Sequence, residues 1–371
     1  MANALKTAIL FLCAVLMTAS AEEFILVGTP RGIQQATWTP EQVLEFSPLT
    51  DDHTEWMAHA SASSPLLSTG RSARTPPGEL RSWLIKPEEG QLQAEQLSAV
   101  ATTGKTAIYV TGSPNGKTAW VCNFRLDTRP SIGSLVEFDL KNGVLQDEPR
   151  RRIEHPGRGK NSPRQDASHP HSVAVNRSGT WLAVGDLGID AVVLYRLDSD
   201  QWILPDSRII VHTGAGSGPR HVAFHPQRPL LVFNTEQTGS AGLIDLDGET
   251  PALIGSWKIL PSGGGAPADL VIHPQGHRVY VSVRGPDRIA VLGLETDARE
   301  LVRLTDVEAG GTNPRAIQIH PSGSHLLSAN RGSHSLAVFS LDPESGLPAT
   351  PPTQYEIKAP TSLLFLKESH E

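Results

Sequence analysis

Alternating and β-branched apolar residues recur along this chain in short runs broken by turn residues. Four segments superpose: HSVAVNRSGTWLAVGD from His171, RHVAFHPQRPLLVFNT from Arg220, ADLVIHPQGHRVYVSV from Ala268 and RAIQIHPSGSHLLSAN from Arg315. Their starts are spaced by 49, 48 and 47 residues. Each predicts a strand, a turn (N-R-S-G, H-P-Q-R, H-P-Q-G or H-P-S-G) and a second strand, which is the hairpin pattern. A third strand follows in each copy: AVVLYRLD, SAGLIDLD, RIAVLGLE and SLAVFSLD. A weaker fourth, such as SRIIVHT or ALIGSWKIL, precedes the next copy.

Four short antiparallel strands repeating roughly every 50 residues predict the blades of a β-propeller. A fifth copy starts at Ile108 with IYVTGSPNGKTAWVCNF and continues into SLVEFDLK. A sixth falls between about residues 55 and 98 and contains GELRSWLIKPEEGQL. The seventh is composite: TSLLFL, near the C-terminus, resembles a first strand, and FILVGT, near the N-terminus, resembles a second. The expected fold is therefore all-β, a single seven-bladed β-propeller over residues 22–371. Its blades are four-stranded and antiparallel, and its N- and C-terminal strands close the ring. The pattern of long helices is not visible.

Hydrophobic residues make up 39% of the 371-residue chain and charged residues 19%, enough apolar material for a core. The formal net charge of −7 argues against nucleic acid as a partner. At the N-terminus, Lys6 precedes the apolar run TAILFLCAVLMTA, and Ala19, Ser20 and Ala21 form a small-residue cleavage site before Glu22 and Glu23. These features predict a signal peptide over residues 1–21, cleaved after Ala21, and a periplasmic or secreted protein. The run is too short for a membrane span, so no membrane association is expected after cleavage. Cys13 leaves with the signal, and Cys122, inside AWVCNF, reads as a buried small hydrophobe. No internal disulfide is then available.

In a propeller the first strand of each blade lines the central channel. The start of that strand and the end of the second lie side by side at one mouth. The repeat therefore defines two rings of residues. The first, five residues before the turn, reads Ile108, His171, Arg220, Ala268 and Arg315; the second, eleven residues after it, reads Phe124, Leu187, Glu236, Arg284 and Arg331. A purely structural position keeps one character from blade to blade. These alternate between apolar and charged, as a shaped polar pocket requires. His171, Arg220, Glu236 and Arg284 come from three successive blades and are expected to converge. His225, His273 and His320 recur at one fixed place beside proline and read as scaffold. His169, next to His171 in H-P-H, has no third ligand at metal spacing, so no metal or other cofactor is expected. The chain also lacks G-x-S-x-G, a phosphate loop and a dinucleotide fingerprint.

At these residues the chain resembles the seven-bladed propeller lactonases, the group that includes the propeller type of 6-phosphogluconolactonase and the fungal carboxy-muconate lactonizing enzymes. The resemblance lies in HPHSVAV with GDLGID, GPRHVAFHP with NTEQ, VYVSVRGPDRIAV, and NPRAIQIHPSG with SANRGSHSLAVF. It covers residues 165 to 345 best and residues 30 to 100 least. It implies an active site of His171, Arg220, Glu236 and Arg284. His169, Arg315 and Arg331, close to these positions in the sequence or in the rings, are the candidate substrate-binding residues. Two departures bear on the substrate: Thr235 precedes the glutamate where the family has asparagine, and Ile108 and Tyr109 stand where a histidine is often found.

The implied activity is a lactonase. His171 would be the base that activates water, Glu236 would orient it or hold its charged form, and one of Arg220 and Arg284 would stabilise the oxyanion while the other binds a substrate carboxylate. The partner is a small lactone or anionic substrate. Export disfavours a sugar phosphate and points to an unphosphorylated sugar or aromatic-derived lactone. The alternatives are a non-catalytic propeller that binds an anionic ligand or a protein, a cycloisomerase that forms lactones, and a quinone- or metal-associated propeller. The segment over residues 149–168, PRRRIEHPGRGKNSPRQDAS, carries six Arg or Lys residues and three prolines, has no strand pattern, and is expected to cross the same mouth as a loop.

Overall fold

A computed structural model of the chain describes residues 23–39, 43–60, 65–71, 78–88, 90–125, 132–161, 164–294 and 299–367. The segment read as a signal peptide lies outside them. Among the described residues the chain is built of strands, with a single 3-10 turn at Leu187–Ile189. The strands form seven antiparallel sheets. Blade 1 spans the strands from Trp56–His59 to Gln91–Ala101, and blade 2 those from Ala107–Gly112 to Arg151–Ile153. Blades 3, 4, 5 and 6 begin with Pro170–Val175, Pro219–Phe224, Ala266–Ile272 and Pro314–Ile319.

Blade 7 takes its first strand, Ser362–Lys367, from the C-terminal end and its remaining strands, Glu23–Thr29, Gly32–Trp38 and Ser47–Pro48, from the N-terminal end. Leu363 pairs with Val27 and Phe365 with Ile25. The seven first strands lie against one another in order, and Ser362–Lys367 returns to Trp56–His59 to complete the circle. Closure is held by burial: Leu363 and Phe365 join Ile25, Val27, Leu327, Ala329 and Leu336 in one apolar cluster that spans blades 6 and 7. The other clusters have the same plan. Val232 and Leu243 of blade 4, for example, pack with Val279, Val281 and Ala290 of blade 5. The core therefore sits between blades, and each sheet is covered on both faces by its neighbours. Cys122 is fully buried, which pushes its thiol pKa up and keeps it protonated.

The turn histidines are scaffold, and they also bridge blades. His225 Nδ1 accepts from the Gln227 and Arg228 N–H groups of its own turn, while Nε2 donates to the Gly276 carbonyl of the next blade at 3.1 Å. His273 repeats this, accepting from Gln275 N–H and donating to Gly323 O at 3.1 Å. Gly276 and Gly323 have φ of +82° and +79°, and a Cβ on either would fall within 2.7 Å of the incoming imidazole. Glycine is required there both for the turn and for the bridge.

Blade 2 departs from expectation at its outer edge. The basic segment contains a strand after all, Arg151–Ile153, paired with Leu135, Val136 and Glu137. The fourth position of this blade is shared between that strand and Val144–Leu145, which pairs with Leu140 and Lys141. The backbone of Ser134–Lys141 offers a free edge there, and two short pieces of chain satisfy it in turn.

Phe365→Ala removes a ring from the cluster that closes the circle and should lower stability by about 3–5 kcal/mol in urea denaturation. The histidine bridges add a pH dependence. Burial lowers the pKa of His225 and His273 below 6.5 in the folded protein, so their contribution is complete above 6.5 and is lost as pH falls through the lowered values. Melting temperature should be flat from pH 8 to 7 and fall below 6.5, less steeply in the double variant His225→Gln, His273→Gln.

Candidate active site

The mouth of the channel is built by a repeated irregularity. In blades 2 to 6 the first strand carries one residue more than its partner at the same place, giving a register shift between Ala107 and Tyr109, Pro170 and Ser172, Pro219 and Val222, Pro267 and Leu270, and Pro314 and Ala316. The shifts fall on the first ring: Ile108, His171, Arg220, Ala268 and Arg315. A bulge turns its extra side chain out of the alternation, which aims these residues along the channel mouth rather than into the blade. The second ring follows directly: Phe124, Leu187, Glu236 and Arg331 each donate a backbone N–H to the residue preceding the neighbouring first strand, and Arg284 pairs with Ala266.

Glu236 is the centre of the arrangement. Its Oε2 accepts from Arg220 Nε at 3.0 Å and from Arg284 Nη2 at 2.9 Å. Its Oε1 accepts from Arg164 Nε at 3.0 Å and Nη2 at 2.5 Å. Burial alone would raise this carboxyl's pKa, but Arg220, Arg284 and Arg164 outweigh it and hold it at about 2. The expected pairing of Glu236 with His171 is absent, because three guanidiniums occupy the carboxylate. Arg220 is 1% exposed; its Nη1 also donates to the Ala268 carbonyl and to His221 Nε2, at 2.9 Å in the second case. Arg284 is more open, with 24% of its side chain exposed.

His171 is buried, and its Nδ1 has no hydrogen-bond partner. Its pKa is lowered well below 6.5 by burial first, then by the charges of Arg220, His221, Arg315 and Arg164. It is therefore a neutral imidazole at neutral pH. Its ring lies 5.3 Å from that of His221 and edge-on to Phe124 at 5.5 Å. His221 in turn meets the edges of Trp56 and Tyr109, which stack at 4.2 Å. These rings form a floor across the channel. Toward the opposite end, a cavity of about 470 Å³ is lined largely by apolar side chains, among them Met57, Val110, Val173, Val222 and Leu270.

The basic segment reaches the site through Arg164. Both ends of the loop are tied to one carboxylate: Asp186 Oδ2 accepts from His155 Nδ1 at 2.7 Å and Ser168 Oγ at 2.6 Å, and Oδ1 from the His169 N–H at 2.7 Å. Gln165 Nε2 donates to Leu187 O and Asp190 Oδ1, and Asn161 Nδ2 donates to Gln237 Oε1 beside Glu236. The Arg164 guanidinium then lies over the Phe124 ring, 5.1 Å from its centroid.

These contacts also locate the remaining candidates. His169 is fully buried, stacks on Phe124 at 4.7 Å, and has its ring nitrogens engaged by the Phe124 carbonyl and Asp166 Oδ1. It supports the loop. Arg315 does reach the mouth, but it is bound to Glu55 through Nη2 at 2.5 Å, with its Nε buried and unpaired. Arg331 is half-buried and near enough to help hold the Glu55 carboxyl below its usual range, against the opposing effect of burial. Glu55 occupies the first-ring position of blade 1, where the repeat is too divergent to align by sequence. His221 and Asp269 were also missed, although a polar residue next to a ring position, in GPRHVAF and PADLVI, is the signal that marks both. No group of three or more His, Cys, Asp or Glu side chains with metal-binding geometry occurs among the described residues.

Comparison with known proteins places this mouth in context. A family model described as "Lactonase, 7-bladed beta-propeller" matches residues 22–365. A 6-phosphogluconolactonase of Erwinia tasmaniensis is 28% identical over 134 residues, 35% of this chain and 41% of that protein. The match thus spans about two fifths of the length of such curated relatives. A solved periplasmic gluconolactonase of Pseudomonas aeruginosa superposes with a TM-score of 0.81 at 25% identity, covering 93% of this chain and 99% of that one. A Lactobacillus plantarum protein superposes with a TM-score of 0.80 at 23% identity over 93% of this chain and 99% of that one, a likeness of fold.

Glu236→Gln leaves three guanidiniums without their carboxylate. The displacement of the Glu236 pKa from 4.5 to about 2 corresponds to about 3 kcal/mol at 1.36 kcal/mol per pH unit. Because the folded value is the lower one, this stabilisation is present above pH 4.5 and is lost as pH falls toward 2. Urea denaturation at pH 7 should show a loss of about that size for the variant, reduced by added salt.

Proposed function

This chain belongs to the lactonase family of seven-bladed β-propellers, and from that membership and the geometry of the mouth we propose that it hydrolyses an unphosphorylated sugar lactone at His171. The observation that carries the reading is a buried, neutral imidazole with an unpaired nitrogen, set among arginines whose own carboxylate is already occupied. In the proposed reaction a water attacks the lactone carbonyl carbon and gives its proton to His171. Arg284, the most accessible of the two second-ring and first-ring arginines bound to Glu236, receives the developing negative charge on the carbonyl oxygen. The ring C–O bond then breaks, and the leaving oxygen takes the proton back from His171, giving a hydroxy acid. Glu236 is not the base, because it is held ionised near pKa 2 and fully engaged. It holds the arginines in place.

The site carries an excess of positive charge: Arg164, Arg220 and Arg284 face one Glu236, and Arg315 is balanced by Glu55. This suits the carboxylate that forms on ring opening. An exported location fits both the N-terminal signal pattern and the name of the periplasmic Pseudomonas relative. Export also separates the protein from cytoplasmic sugar phosphates, which favours an unphosphorylated substrate.

The test is hydrolysis of a panel containing glucono-1,5-lactone, its 6-phosphate and aromatic-derived lactones by the mature chain, followed with a pH indicator. Turnover of the unphosphorylated sugar lactone is expected. His171→Ala and Arg284→Ala should each lower kcat/KM by about 100-fold or more with melting temperature little changed. Absence of turnover on every lactone would overturn the reading. Because the folded pKa of His171 lies well below 6.5, kcat/KM should stay level from pH 7.5 through 6.5 and decline only at lower pH.

A further inference from the structure

Behind the arginines lies a second, fully buried chain of polar groups. Asp269 occupies the bulge of blade 5, and His221 the bulge of blade 4. Asp269 Oδ1 accepts from His221 Nδ1 at 2.7 Å and from the Leu270 N–H at 2.8 Å; Oδ2 accepts from the Ile317 N–H of blade 6 at 3.0 Å. The Asp269 N–H is bound in turn by Ser282 Oγ at 3.0 Å. A carboxylate fixed by two backbone donors can only accept, so His221 carries its proton on Nδ1. Its Nε2 is then a lone pair, and Arg220 Nη1, which can only donate, bonds to it at 2.9 Å. Donation therefore runs outward from Arg220, to Glu236 on one side and through His221 to Asp269 on the other, and Asp269 also accepts from Leu270 and Ile317.

We infer that Asp269 and His221 are positioning residues, which hold the Arg220 guanidinium against Glu236, next to the His171 ring that His221 meets at 5.3 Å. Arg220 is sealed from solvent and has no open face for a substrate, so its effect on the reaction passes through the groups it touches. His171 is faced by Arg220 and His221 from blade 4, Arg315 from blade 6, Arg164 from the basic loop and Phe124 from blade 2. Of these cations only Arg220 is locked by a chain reaching through three blades. Burial and Arg220 also hold His221 itself at about 4 against the pull of Asp269, which keeps the acceptor nitrogen available at neutral pH.

The inference rests on the lactonase reading for its kinetic readout, and histidine NMR supplies a second readout that needs no substrate. His221→Leu removes both bonds at nearly constant volume. His221→Gln restores them, because its amide oxygen can accept from Arg220 while its NH2 donates to Asp269. In the full mature chain, His221→Leu should lower kcat by about 10-fold or more with KM changed less than about twofold, and should move the His171 titration upward toward 6.5. His221→Gln should recover most of both. If His221→Leu does not fold, Asp269→Asn serves in its place: either amide orientation sets an N–H against the Leu270 or Ile317 N–H, and the same upward shift is expected. Equal behaviour of the Leu and Gln variants, or a His171 titration and kcat unchanged from wild type with only melting temperature reduced, would overturn the inference. Failure of the wild type to turn over any lactone would count against the proposed function, and the NMR titration would still decide the positioning role.

Discussion

Three guanidiniums meet on one carboxylate at the channel mouth, and each remains charged at any pH the protein meets. Two such groups about 4 Å apart repel by roughly 4 kcal/mol at an effective dielectric of 20. Arg164, Arg220 and Arg284 come from a loop and two different blades, so nothing in local structure requires them to share a site. Glu236 makes the arrangement stable. With its carboxylate in place, the loop docks through Arg164, Arg284 keeps an accessible edge, and the summed positive field helps to hold His171 neutral. The same carboxylate is thereby withdrawn from acid–base work. A structure with a His–Glu couple at this position would present a more basic imidazole and fewer ordered cations.

The scaffold separates what must be constant from what must vary. Apolar clusters between blades, and the imidazole bridges from His225 and His273 to the next turn, repeat with little change. The bulge at the start of the first strand also repeats, but its side chain differs in each blade. It is a backbone device that exposes one residue per blade at the mouth without disturbing the packing behind it. Histidine, two arginines and two apolar residues occupy the five bulged positions, and this asymmetry makes a site out of a ring. In blades 4 and 5 the residue after the ring position is also polar, and His221 and Asp269 use that second place to brace the first.

The loop over the mouth is part of the same economy of contacts. Asp186 gathers His155, Ser168 and the His169 backbone, so that both ends of the loop start from one fixed point. Its carboxyl is held below the usual range by these donors in spite of burial. Gly188 passes so near the loop that a Cβ there would lie 1.9 Å from the Ala167 carbonyl oxygen. The path of the loop, and with it the placement of Arg164, follows from these contacts more than from the run of basic residues that first drew notice.

The period of just under 50 residues, the period-2 alternation and the turn residues determined the blades, their number and the composite seventh sheet, because these depend on local pattern and on chain length alone. The two rings were legible for the same reason: a repeat carries its register with it, so His171, Arg220, Glu236 and Arg284 could be picked out by counting. Tertiary structure alone decided which of them touch. Counting could not show that Glu236 would be taken up by arginines rather than by His171, since that depends on side-chain reach across blades. It could not find Glu55, whose blade has lost the repeat, or the Asp269–His221–Arg220 chain, which links residues 48 positions apart. It named His169 as a substrate-binding neighbour of His171, whereas His169 lies just before the strand, fully buried and stacked on Phe124. Sequence periodicity specifies which backbone positions are equivalent; hydrogen-bond geometry and charge, which act through space, specify what each of them does.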